Sequence, residues 1–557
     1  MKYSKLVEVY QELEETQSTL EKTSILAELF EESGEELEEV VLLAMGRAFP
    51  AWKDYQIGIS SSTMADIISQ ATGRKEKEIE EAWKEEGDLG SAAEEMAGKK
   101  TQQRLMQQEL TVEKVLERIR KVSEMSSSGL SQSVDMSKKK KEIADLVSSA
   151  EPSEAKYVTR TVLETLRLGV GEGIVRDALA EAFFDGENSE DIQRAYDFTN
   201  DFTEVAAACV EGIEEVRKLD IELFRPIKSM LAKKVESIDE GFEEVGKPAG
   251  IDFKYDGMRA QIHVNEGEVK VFTRRLEDVS EQFPDVVSAV KEHLDAEHCI
   301  LDTEIVGYDP EDGSPIPFQK LSKRIKRKYD IQKMQEEIPV EVRPFDLIYL
   351  EESMIEKPYQ GRWEKLGEIV DEEEKELRLA DHETIETEER VQEMQQKALS
   401  EGQEGIMMKN LEAEYKPGSR VGYMVKLKPV METLDLAIIG GEWSEGRRTG
   451  WIGSLKLACY NQQEEEYQEV GKMATGLTDE QLEEITEKLK PLIVNEDGRD
   501  VEVRPEVIVE AEYEEIQESP TYSSGYALRF PRLKQFREDK EEADSLEKVR
   551  NLYENQD

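Results

Sequence analysis

The sequence predicts a multidomain protein of α and α/β class: an all-helical N-terminal region, a mixed α/β central region and a small C-terminal β-barrel. Three observations carry this. The chain has 557 residues, more than one compact core accommodates. Over roughly the first 220 residues apolar side chains recur at three- and four-residue intervals, as in Leu6, Val9, Tyr10 and Leu13. Beyond Arg225-Pro226 the alternation shifts to period two, and from Leu434 short strands dominate at the spacing of a small barrel. These changes of texture place domains at residues 1–222, 223–430 and 431–557.

Within the helical region, Val112 to Val122, Lys140 to Val147 and Ile174 to Phe184 carry the helical period. Met125 to Ser137 is rich in Ser and Gly and reads as a loop. The basic run Lys138 to Lys141 after it reads as a solvated helix start or a phosphate contact. In the centre, Arg259 to Val264 and Val269 to Arg274 alternate around the turn residues Asn265 to Glu268, which predicts a hairpin. Strands are expected at Leu434 to Ile439, Ser454 to Tyr460, Tyr467 to Met473 and Val507 to Tyr513. The acidic stretch Asp371 to Glu376 reads as a solvated helix face. No internal repeat is visible.

The charge balance is extreme, with 125 acidic residues, 73 basic ones and a net charge of −52. Composition alone therefore argues against a phosphate-backbone partner. Two readings remain: an acidic protein whose partners are not anionic, or a chain built for very salty cytoplasm, where salt screens long-range repulsion. It also weakens phosphate contacts, so many local Lys and Arg contacts would be needed. Cys209, Cys299 and Cys459 lie far apart, and no CxxC pair exists. A four-cysteine zinc site is excluded, and a reducing intracellular compartment fits. The four histidines show no metal-ligand spacing. The N-terminus is amphipathic and charged rather than a signal peptide, and no apolar run is long enough to span a membrane.

The chemistry centres on Lys254-Tyr255-Asp256-Gly257-Met258-Arg259. In an extended segment Lys254 and Asp256 share a face, and Gly257 permits a turn and a close backbone approach. Alone, such a tetrapeptide is weak, since many exposed turns combine Lys, Asp and Gly. Its company raises it. Arg274 follows in Phe272-Thr-Arg-Arg-Leu, and Glu304 in Leu301-Asp-Thr-Glu-Ile-Val-Gly307. Next come Phe345 and Asp346 in Arg343-Pro-Phe-Asp-Leu, and Glu404 heading Glu404-Gly-Ile-Met-Met-Lys-Asn410. Lys426 and Lys428 alternate in Tyr423-Met-Val-Lys-Leu-Lys-Pro429, and Arg529 and Arg532 close Leu528-Arg-Phe-Pro-Arg532. Out of this company Phe345 reads as core, Glu304 as a paired strand acid, Glu404-Gly405 as a turn, and the two lysines as a solvated strand face.

In this order the segments resemble the signature of the covalent nucleotidyltransferases. The Lys-Tyr-Asp-Gly-x-Arg and Arg-Phe-Pro-Arg forms resemble ATP-dependent DNA ligases of the archaeal and eukaryotic replicative type. The resemblance covers nearly the whole chain. Leu166-Arg-Leu-Gly-Val-Gly-Glu-Gly173 and Arg225-Pro-Ile-Lys-Ser-Met-Leu-Ala232 are similar to parts of that family's helical DNA-binding domain and the junction after it. It implies a helical DNA-binding domain, an ATP-grasp-like nucleotidyltransferase domain and a C-terminal OB-fold barrel. With the acidity, it points to a halophilic archaeal chain.

The resemblance further implies nick sealing in duplex DNA, in replication, repair and recombination, with ATP and Mg²⁺. Lys254 would attack the α-phosphate of ATP, pass AMP to the 5′-phosphate at a nick, and the 3′-hydroxyl would then displace AMP. Asp252 would hold the adenine and Phe345 would stack on it. Arg259 and Glu304 would bind the ribose, and Arg274 phosphate or ribose. Glu404, with Glu304, would hold the metal. Arg420, Lys426 and Lys428 would contact the nucleotide phosphates, and Arg529 and Arg532 would orient the pyrophosphate. A Gln-led stretch around Gln102 to Met106 is either a weak sliding-clamp peptide or a plain linker. A cytoplasmic monomer is expected. The competing readings are an RNA ligase or capping-type enzyme, disfavoured by the helical N-terminal region, and a non-catalytic DNA-clamp adaptor. An NAD⁺-dependent ligase is disfavoured by the missing zinc cysteines.

Overall fold

A computed structural model describes the chain except residues 54, 56, 100–108, 126–131, 326–329, 429–431, 541 and 555–557. The stretch Gln102 to Met106 therefore lies outside the described residues. Contacts group the rest into two compact units. The first holds Met1, Glu8–Gln56 and Leu168–Pro429; the second holds Lys2–Val7, Ile57–Arg167 and Val430–Asp557. The helical region contributes to both.

The helices begin where short polar side chains occupy the orphan amides of a first turn. Ser18 accepts from the Glu21 amide ahead of Thr19–Ser33, and Ser60 from the Thr63 amide ahead of Ser61–Thr72. Asp88 and Thr111 do the same for Leu89–Gly98 and Val112–Glu124. Pro152 opens Pro152–Val162, where its missing N–H costs nothing.

In the first unit two sheets form. One runs in the order Leu231–Val235, Arg420–Leu427, Gly405–Asn410, Ala249–Lys254, His382–Ile385. Its first pair is parallel and the others are antiparallel. The other is antiparallel, in the order Glu268–Thr273, Met258–Asn265, His298–Tyr308, Val340–Leu350 and the short Glu352–Ser353. Pro315–Ile316 pairs with the edge of His298–Tyr308. The expected hairpin forms, with Glu266 and Gly267 at positive φ in its turn. Ile251, Phe253, Ile406, Met408 and Val425 fill the core of the first sheet, and Ile262, Val271, Leu301, Val342 and Leu347 that of the second.

Side chains of the second sheet also anchor the segment after the helical region. Gln261 exchanges two hydrogen bonds with the Ile227 backbone, at 3.1 and 2.7 Å. His263 Nδ1 accepts from the Phe224 amide at 3.0 Å. Burial pushes the His263 imidazole down to about 3, so it is the neutral ring that accepts.

In the second unit the β domain is OB-fold-like, but its ladder does not close among the described residues. Its main path is Glu466–Met473, Ile452–Asn461, Leu434–Trp443, Asp500–Val503, Ile493–Asp497. Leu434–Trp443 also pairs with Ile508–Glu512, which pairs with Arg532–Phe536, and a separate hairpin joins Glu515–Glu518 to Tyr526–Arg529. The Gly446 amide donates to the Gly87 carbonyl at 3.0 Å, where this domain meets the helices of its unit.

Three expectations need correction. The loop at Met125 to Ser137 is shorter, because a helix runs from Gln132 to Ser149 and takes in the basic run. Within it Lys139 is buried and Lys140 pairs with Asp66 at 2.7 Å, while Lys138 and Lys141 are exposed, so the run is not uniformly solvated. Asp371 to Glu376 is exposed turn, not helix: Lys375 has a φ of 68°, and its amide donates to the Glu341 carboxylate. A helix at Asp479–Leu489 interrupts the β region, started by a reciprocal Thr478–Gln481 cap.

Candidate active site

Lys254 is the last residue of its strand, and the next strand, Met258–Asn265, belongs to the other sheet. The motif therefore crosses from one sheet to the other. The strand ends at Lys254 and a bend follows at Asp256 and Gly257, so the extended segment expected to carry both Lys254 and Asp256 stops short of Asp256. Asp256 instead accepts from the Phe318 amide at 3.2 Å. Gly257 has no room for a side chain. A Cβ there would lie 2.6 Å from the Ile305 carbonyl oxygen and 2.8 Å from Glu304 Cγ. Gly257→Ala is expected to displace Glu304 and, for the chemistry that the sequence resemblance implies, to slow self-adenylation by about 10²-fold, the scale of an ångström-sized misplacement. Single-turnover labelling would measure it, and an unchanged rate would mean that this turn is not part of the site.

Register sets the neighbours. Gly405 pairs with Lys254, and the Glu404 amide donates to the Lys254 carbonyl at 2.9 Å. Gly405 has a φ of 136°, and a Cβ there would lie 2.4 Å from the Leu427 carbonyl oxygen. Only glycine fits between these strands. The Glu404 carboxylate then ion-pairs with Lys254 and, at 2.7 Å, with Lys428. Burial works against its charge, but the two ammonium groups outweigh that and hold its pKa down at about 2.

Across the ladder Arg259 pairs in register with Glu304, and Glu304 with Arg343. Arg259 holds Asp302 through two bonds, at 3.0 and 2.6 Å, and donates to the Met230 carbonyl at 2.7 Å. Tyr415 donates to Asp302 at 2.7 Å and accepts from the Met230 amide at 3.1 Å. The anchored segment around Met230 is thus tied to the site. Arg259 and Lys409 both approach the Phe345 ring, 5.3 and 4.9 Å from its centroid. Asp252 is buried, and its carboxylate is engaged by Lys409, by His382 Nδ1 at 2.6 Å and by the Tyr359 hydroxyl at 3.4 Å. Asp346 is taken by buried Arg362, at 2.7 and 3.0 Å.

Glu304 is only partly exposed. Burial raises its pKa to about 8, and the nearby Lys254 and Arg259 charges pull it down without cancelling that. A carboxyl raised in the folded state favours folding below its unfolded value near 4.5 and loses that contribution as pH rises through about 8. Thermal stability is therefore expected to decline between these limits, and Glu304→Gln should flatten the decline. An unaltered pH–melting profile in the variant would show that Glu304 does not titrate there.

The structure brings Lys254, Glu404 and Lys428 together, and places Arg259, Glu304 and Phe345 on the adjoining sheet. Lys426 lies in register between Met407 and Lys234. Arg274 and Arg420 are exposed, in a turn and at a strand start. Arg529 and Arg532 lie in the second unit, where Arg529 pairs with Glu515 at 3.0 Å and Arg532 is exposed. Sequence reasoning missed Asp302, Lys409, Tyr415 and His382. Asp302 was within reach, because it lies two residues before Glu304 on the same strand face. The partners of Lys409 and His382 come from other strands and leave no local pattern.

A lysine at the junction of two sheets, flanked by acids, cations and an aromatic ring, defines a nucleotidyltransferase domain, preceded along the sequence by helices and followed by an OB-fold-like domain. Three family models match: "DNA ligase N terminus" at residues 2–180, "ATP dependent DNA ligase domain" at 229–428 and "ATP dependent DNA ligase C terminal region" at 448–540. The DNA ligase of Nanoarchaeum equitans is 41% identical over 567 residues, covering 100% of this chain and 99% of that one. That of Thermococcus onnurineus is 42% identical over 562 residues, covering 100% and 98%. A solved structure described as Pmar-Lig_PreS3 shares the fold, with a TM-score of 0.60 at 18% identity over 96% of this chain and 99% of that one. The chain belongs to the ATP-dependent DNA ligases of archaeal type. It is an enzyme that seals nicks through an adenylated intermediate. Among the described residues no helix is long and apolar enough to cross a membrane.

Proposed function

We propose that Lys254 carries AMP during nick sealing and that the residues around it divide the work of nucleotide transfer. The observation that carries this is the Lys254–Glu404–Lys428 cluster beside Arg259, Glu304 and Phe345. Lysine is nucleophilic only when neutral and unpaired, so its release from Glu404 precedes attack. The Lys254 amine then bonds to the α-phosphorus of ATP as the bond to pyrophosphate breaks. Lys426, Lys428 and Arg420 neutralise phosphate charge that grows in the transition state. Phe345 stacks on the base, Arg259 and Glu304 take the ribose, Arg274 takes ribose or phosphate, and Asp252 supports the strand backbone along the adenine edge. Arg529 and Arg532 orient the pyrophosphate.

Glu304, on a strand of one sheet, and Glu404, just before a strand of the other, suit Mg²⁺ as hard oxygen donors. When bound, the ion would offset phosphate charge. The helical region, residues 1–222, serves as the DNA-binding domain; residues 223–430 carry adenylation and 431–557 the OB-type domain. Nicked duplex is the substrate in replication, repair and recombination, and the chain acts as a cytoplasmic monomer. A clamp contact near Gln102 to Met106 stays a proposal from sequence alone. The net charge of −52 suits a salty cytoplasm, so fold and activity should persist in molar KCl. Unfolding there, followed by circular dichroism, would remove that idea. Incubation with ATP followed by peptide mass spectrometry tests the central assignment. AMP on Lys254 supports it, and AMP on another residue overturns it.

A further inference from the structure

Gly250, Asp252 and Lys254 alternate along Ala249–Lys254 and share one side of that strand. The glycine opens a gap on this side. A Cβ on Gly250 would lie 2.9 Å from His382 Cε1 and 3.0 Å from Tyr359 Cε1. The rings of His382 and Tyr359 therefore occupy the space a side chain would take, against the strand that ends in Lys254.

His382 stands directly opposite Asp252, at the start of the neighbouring strand His382–Ile385. Its Nδ1 donates to one Asp252 oxygen at 2.6 Å. Lys409, on the strand at the other side, ion-pairs with the other oxygen. The Tyr359 hydroxyl lies 3.4 Å from both. Burial works against the Asp252 charge, but Lys409 and His382 outweigh it and hold the carboxyl below the usual range. Asp252 is 2% exposed, so these partners rather than water set where its carboxylate points.

Lys409 carries the arrangement across to the second sheet. Its Nζ donates to the Phe345 carbonyl at 3.3 Å and lies 4.9 Å from the centre of the Phe345 ring. A second route reaches the same place. The His382 ring lies 4.3 Å from that of Trp363, on the helix Tyr359–Ile369. Arg362 of this helix grips Asp346, the neighbour of Phe345. His382 thus touches both routes to Phe345, one through Asp252 and Lys409 and one through the helix. We infer that His382 is a positioning residue for the base end of the nucleotide site: it aims the Asp252 carboxylate at Lys409, which fixes the Phe345 ring where the base stacks. This rests on the proposed role of Phe345. The Lys254–Glu404–Lys428 cluster is assembled by other contacts, so the effect falls on ATP binding rather than on the transfer step.

The test separates the donor from the ring and both from the fold. Self-adenylation of the full chain by α-labelled ATP and Mg²⁺ is followed at increasing ATP, giving a half-saturating concentration and a limiting rate. His382→Phe keeps a ring against Trp363 and gives up the donor. It is expected to raise half-saturating ATP about tenfold and leave the limiting rate unchanged, the mark of lost ground-state binding. His382→Asn does the reverse: its amide nitrogen takes the place of Nδ1, while the packing on Trp363 is lost. It is expected to melt below the wild type and yet keep the wild-type dependence on ATP. His382→Met, which also lacks the donor, replaces the phenylalanine variant if circular dichroism shows that one to be unfolded. The phosphate end supplies a control. Pyrophosphate added to the labelled protein takes AMP from Lys254 and re-forms ATP, and its half-saturating concentration should be the same in wild type and His382→Phe.

A structural role alone would make the ATP dependence follow melting temperature across the variants, and that result would overturn the inference. So would wild-type half-saturation in the variants without the donor, a fall in the limiting rate alone, or a shifted response to pyrophosphate. Label on a residue other than Lys254 in the wild type would instead sink the adenylation reading itself.

Discussion

Lys254→Ala is expected to abolish transfer of label from α-labelled ATP to the protein, a loss of at least about 10³-fold, since no other group replaces the missing nucleophile. The fold should survive. Lys254 lies at a strand end, and Glu404 keeps Lys428 as its partner at 2.7 Å. The variant should therefore melt near the wild-type temperature and still bind nicked duplex. Retained labelling in the alanine variant would move the covalent chemistry to another residue. Collapse of the fold would instead assign Lys254 a structural role that its partly exposed position does not suggest.

Asp302→Asn should combine the largest loss of stability with a loss of activity. Asp302 is fully buried and supplies the counter-charge of Arg259, while also accepting from Tyr415. Burial works against the Arg259 charge, and the Asp302 carboxylate beside it more than offsets that. Asparagine keeps the shape but strands the guanidinium. Breaking a buried pair in this way costs about 3–5 kcal/mol. Urea unfolding should show that loss. Self-adenylation should fall by about 10²-fold, because Arg259 no longer holds its place over Phe345. A stable variant with normal adenylation would show that Asp302 does not organise this part of the site.

These expectations depend on residues that differed in how readily the sequence disclosed them. The hairpin at Met258–Thr273 was legible because its alternation and turn residues are local. The Lys254 motif was legible because its segments recur in a fixed order, although the bend that separates Asp256 from Lys254 was not. A helix such as Asp479–Leu489 was hidden among strands, its capping pair being weaker evidence than the alternation around it. The ties of Asp252 to Lys409 and His382 join three strands, so nothing short-range announces them. The same holds for Lys139. Its run of four lysines reads as solvent-facing, and only the packing of Gln132–Ser149 on Ser61–Thr72 shows that one of them is turned inward. Periodicity reveals which faces are apolar; it does not reveal which polar side chains are drawn into the core by partners distant in sequence.

The most direct measurement follows the covalent AMP itself. Wild-type protein is labelled with α-labelled ATP and Mg²⁺, freed of nucleotide, and mixed with duplex DNA carrying a single nick with 3′-hydroxyl and 5′-phosphate ends. The expected result is a labelled protein band that disappears as sealed DNA forms, with free AMP released in step. A band that persists in the presence of nicked duplex, or that discharges only to an RNA end, would contradict the account.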